Sequence, residues 1–60
     1  MKEHLERQID AVRRRIRRLE DEAALHRAMG RDALADKIEN EQRKAEIEAG
    51  HLEHFMRSAA

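Results

Sequence analysis

His26-Arg27-Ala28-Met29-Gly30-Arg31-Asp32, near the middle of the chain, is the stretch on which the fold turns. Gly30 is one of only two glycines in 60 residues that contain no proline. Glycine enters the left-handed backbone region without a Cβ penalty and so commonly ends a helix. Asp32, two residues on, is a residue type that caps a following helix by accepting a backbone N–H. The nearby charges agree with a break. His26 and Arg27 stand where a first helix would end, and Asp32 and Asp36 where a second would begin, both favourable to the helix dipoles. The spacing therefore predicts a helix over about 3–29, a turn at 30–32 and a second helix over about 33–57, an αα-hairpin that forms one domain. The alternative is one continuous coiled-coil helix, because the steps 26, 30, 34 and 38 also read as a stutter near Gly30.

Upstream of the turn, Leu5, Ile9, Val12, Ile16, Leu19, Ala23 and His26 follow one another at spacings of 4, 3, 4, 3, 4 and 3. That is the narrow stripe of a coiled-coil seam, set in a sequence rich in Ala, Glu, Arg and Leu, which are strong helix formers. Downstream, Leu34, Ile38, Gln42, Ala45, Ala49, Leu52 and Met56 share a face, but Ala and Gln thin its middle. Folding the chain about residue 31 brings residue i opposite roughly 62 minus i. Ile9 then meets Leu52, Leu5 meets Met56, and Ile16 meets Ala45. The charges complement one another as well. Residues 1–30 hold eight basic and six acidic side chains, and residues 31–60 hold five and seven.

The fold class expected is thus all-α, a two-helix antiparallel hairpin. Ten of the 24 apolar residues are alanine, which leaves fourteen sizeable apolar side chains and no cysteine to add a disulfide. So small a core calls for a partner. A homodimer in which two hairpins form a four-helix bundle is the expected remedy. The seam assigned to it is Leu5, Ile9, Val12, Ile16, Leu19, Ala23, Leu34, Ile38, Ala45, Leu52 and Met56. Leu25, Ile47 and Phe55 fall off that seam and are the candidate surface for a second protein.

Site chemistry is sparse. There is no Cys, the only Ser is Ser58, and no glycine-rich loop is present, so no enzymatic activity, cofactor or metal is expected. His4, His51 and His54 gather at one end of the hairpin, but their helical angles point the rings apart. No apolar run is long enough to cross a membrane, and the expected compartment is the cytoplasm. By elimination the expected role is a protein–protein interaction module: an adaptor, a regulator, or an accessory or structural subunit. The alternative is a nucleic-acid-binding regulator using Arg7, Arg14 and Arg18 on the outer face of helix 1. Against it stand a net charge of zero and a single aromatic residue, Phe55. Asp10, Asp21 and Glu22 are spaced to neutralise Arg14, Arg17 and Arg18 at i,i+4.

Overall fold

The computed structural model describes residues 2–59 and contains two helices, α1 (Lys2–Ala28) and α2 (Asp32–Ala59). They fold back on each other as a hairpin 45 Å long and 15 by 10 Å across. A rise of about 1.5 Å per residue accounts for most of that length from α1 alone. The radius of gyration, 13.9 Å, exceeds the roughly 10 Å of a globular 60-residue chain. The hairpin is a rod.

Gly30 makes the turn. Its φ is +77°, and no other residue of the described chain has a positive φ. Two backbone bonds close the end of α1 around it. The Gly30 N–H donates to the Arg27 carbonyl at 3.0 Å, and the Arg31 N–H donates to the His26 carbonyl at 2.8 Å. These bonds occupy carbonyls that a helix end leaves without intrahelical partners. The chain is therefore not one continuous helix.

The turn comprises Met29, Gly30 and Arg31, one residue earlier than the sequence places it. The capping role expected of Asp32 passes to its neighbour. The Arg31 carbonyl accepts the first bond of α2, from the Ala35 N–H at 3.0 Å, so Arg31 is the cap and Asp32 already lies within the helix. Its carboxylate turns toward Arg27 instead.

The interior is narrow. Among the described residues Ile9, Ala23, Ala35, Ala45 and Ala49 are the buried apolar ones, and no large side chain is fully enclosed. Four of these five are alanines, so the helices meet across small side chains.

The two glycines make opposite demands on an added methyl group. At neither would a Cβ meet another atom within 4 Å, so backbone conformation alone decides the outcome. Gly30→Ala should destabilise the hairpin by about 1 kcal/mol, the usual penalty for a left-handed alanine. Gly50→Ala, inside α2, should stabilise it by about 0.5–1 kcal/mol. Urea unfolding of the two variants beside the parent checks both signs.

Candidate self-association surface

In heptad terms the inward stripe of α1 alternates d and a: Leu5, Val12, Leu19 and His26 at d, and Ile9, Ile16 and Ala23 at a. In α2 the stripe is Ala35, Ile38, Gln42, Ala45, Ala49, Leu52 and Met56, at spacings of 3, 4, 3, 4, 3 and 4 beginning from an a position. Leu34, counted with the seam from its size and spacing, is 41% exposed; the inward position at that level belongs to Ala35, which is fully buried. Leu34 is a g residue, one step outside the stripe.

Ion pairs show which edges of the helices meet. Arg13 donates to Glu53 at 2.8 Å, and Arg27 to Glu39 at 2.6 Å; all four are e residues. Arg27 also donates to Asp36 at 3.0 Å and lies 3.7 Å from Asp32, so one guanidinium holds three carboxylates across the turn. The hydrogen bond to Asp36 and the charge of Glu39 raise the Arg27 pKa above its ordinary value. The hydrogen bond from Arg13 to Glu53 acts likewise on Arg13. On the opposite edge, Arg15 and Glu41, both g residues, are 3.9 Å apart.

The two edges differ in what they cover. Position a lies beside e, and four of the five buried residues (Ile9, Ala23, Ala35 and Ala49) are a residues. Position d lies beside g, and that side stays open. Leu5, Val12, Leu19, His26, Ile38 and Leu52 at d are all only half-buried. Leu34 and Phe55, both g residues, stand 41% and 65% exposed beside them. At the turn end of this row His26 holds a buried Nδ1 with no hydrogen-bond partner, an arrangement that costs about 1–3 kcal/mol. The hairpin is closed along one edge by charge, and along the other its half-buried apolar d row is bordered by Leu34 and Phe55 together with the charged Arg15, Glu41 and Glu48.

Of the remaining seam residues, Ile16 and Met56 are half-buried, and Ala45 is buried at a d position of α2. Leu25 and Ile47 are 59% and 60% exposed and lie away from the open row, at c and f. Phe55 belongs to the row itself rather than to a separate surface.

Arg7, Arg14 and Arg18 are exposed. The expected pairs Asp10–Arg14, Asp21–Arg17 and Glu22–Arg18 do not form among the described residues; the ion pairs that α1 makes cross to α2 instead. His4, His51 and His54 are exposed, and no group of three metal-ligating side chains converges among the described residues. Glu6, Ile9, Asp10, Arg13 and Met56 line an open depression of about 180 Å³ on the ion-paired side, below the roughly 300 Å³ at which small-molecule sites begin. No helix of the described chain is long and apolar enough to cross a membrane.

No family model matches the chain, and no curated protein or solved structure matches it either.

The three-carboxylate clamp and the single pair at Arg13 give unequal expectations. Arg27→Gln should lower the melting temperature more than Arg13→Gln, and the gap should narrow on going from low salt to about 1 M, where screening reaches within a few ångströms. Thermal melts by circular dichroism at both salt concentrations measure it.

Proposed function

We propose that this chain is a small non-enzymatic protein–protein interaction module that works as a homodimeric helical bundle, an adaptor, regulator or accessory subunit rather than a catalyst. The observation that carries the reading is the open d and g row. Leu5, Val12, Leu19, Ile38 and Leu52 are half-buried in a single hairpin, with Leu34 and Phe55 exposed beside them. A second apolar face set against this row would complete their burial.

Surface area supports the same reading. The hairpin exposes 4870 Å². A compact protein of its 7.1 kDa mass exposes about 4,100 Å². The excess, roughly 800 Å², equals the share that one partner contributes to an interface of standard size. Once this face is covered, Leu25 and Ile47 remain as apolar contacts for a different protein. A role in the cytoplasm fits this reading and is part of the proposal.

A second reading, a nucleic-acid-binding regulator, has one observation in its favour: Arg7, Arg14 and Arg18 are exposed and paired with no carboxylate among the described residues. It requires micromolar binding at about 150 mM salt, lost when all three become Gln, with affinity falling by about one log unit per log of salt for each phosphate contacted. The zero net charge and the lack of interleaved aromatics favour the first reading.

Light scattering at tens of micromolar should give twice the chain mass. Leu34 and Phe55 are 41% and 65% exposed in the hairpin, so Leu34→Ser and Phe55→Ser should each leave most of its helicity in place while weakening association about tenfold, about 1.4 kcal/mol. A parent chain that stays monomeric at that concentration overturns the reading.

A further inference from the structure

Self-association on the open row, if the reading above holds, allows two symmetric arrangements, and the charges flanking the row distinguish them. A two-fold axis along the rod puts both turns at the same end and lays α1 of each copy on α2 of the other. An axis across the rod puts the turns at opposite ends and lays α1 on α1 and α2 on α2. Every neighbouring pair is antiparallel in both, so helix direction does not choose between them.

Charge does. The g positions border the open row, and the charged ones are Arg15 and Glu22 on α1 and Glu41 and Glu48 on α2. Within one hairpin Arg15 and Glu41 are already 3.9 Å apart, which places them at the same edge. With the turns at opposite ends, Arg15 comes level with its own copy, and Glu41 comes level with the other chain's Glu48. Like charges brought together in this way are costly. With the turns at the same end, Arg15 of each chain comes within a turn of Glu48 of the other. Glu22 nears Glu41, whose charge Arg15 of its own chain already offsets at 3.9 Å. The apolar ends then match as well, since Phe55 falls level with Leu5 on the facing α1. The balance of the whole halves agrees: residues 1–30 carry an excess of two positive charges and residues 31–60 an excess of two negative ones.

We propose that two copies of this chain pack through the open d and g row with their turns at the same end, α1 of each lying against α2 of the other. The lack of native cysteine makes the arrangement directly measurable. Arg31→Cys carries a nitroxide at the exposed tip of the turn, in the full-length chain, and its mass is read by sedimentation in the same buffer. The expected result is a dimer whose pulsed-EPR distance distribution centres within about 20 Å, two helix spacings. A dimer with the labels separated by the 45 Å length of the rod overturns the arrangement and leaves self-association standing. A monomer, with no intermolecular dipolar coupling, overturns both.

Discussion

The inner layer of the hairpin consists of Ile9, Ala23, Ala35, Ala45 and Ala49, spaced along the rod, and the rest of the structure depends on the close approach of the helices there. Alanine gives up no side-chain entropy on burial and lets two helices meet closely. It also contributes little apolar area, and hydrophobic stabilisation scales with area. The larger side chains of the seam are therefore pushed to the margins of the contact. Leu5, Val12, Leu19, Ile38 and Leu52 end half in water, where each contributes only part of its burial energy. A hairpin built on this layer holds its two helices together while leaving its best apolar material facing outward.

The charged edge complements that arrangement more by direction than by strength. Exposed ion pairs contribute little stability each, and the Arg27 and Arg13 side chains are 44% and 60% exposed. Their value lies in placement. Arg27 holds Asp32, Asp36 and Glu39 across the turn, and Arg13 reaches Glu53 toward the other end. Both sit at e positions, so they shield the a layer and leave the d side without a comparable barrier. One helix rotation thus decides which edge is sealed and which is offered.

Much of this was legible in the sequence. Gly30 announced the break because only a residue without a Cβ takes φ of +77° cheaply. The α1 stripe from Leu5 to His26 was legible because its large aliphatics recur without a fault at heptad spacing. In α2 the signal was weaker. The series 35, 38, 42, 45, 49, 52 and 56 keeps strict heptad spacing, but it opens on an alanine, and the larger Leu34 beside it draws the eye one position off. Size misled where spacing was sound. Asp32 had the chemistry of a cap, yet the two bonds that close α1 bring Arg31 into the capping position first. The pairs expected at i,i+4 along α1 failed for a different reason. Folding about residue 31 sets Arg13, Arg14, Arg15, Arg17 and Arg18 near Glu41, Glu46 and Glu48, and Arg15 does lie 3.9 Å from Glu41. But Arg13 takes Glu53, and Arg27 takes Asp36 and Glu39, because the rotation of both helices chooses the partner.

In the proposed dimer, one hairpin is an incomplete structure whose apolar edge is finished by a second copy. Stability shared between chains must depend on how many chains are present. The most direct measurement is the melting temperature of the unmodified protein across about a hundredfold range of concentration, followed by circular dichroism. A melting temperature that climbs steadily with concentration is the expected result, because unfolding then separates the copies as well as the helices. A melting temperature that stays constant over that range would show that the hairpin stands alone, and would contradict the account.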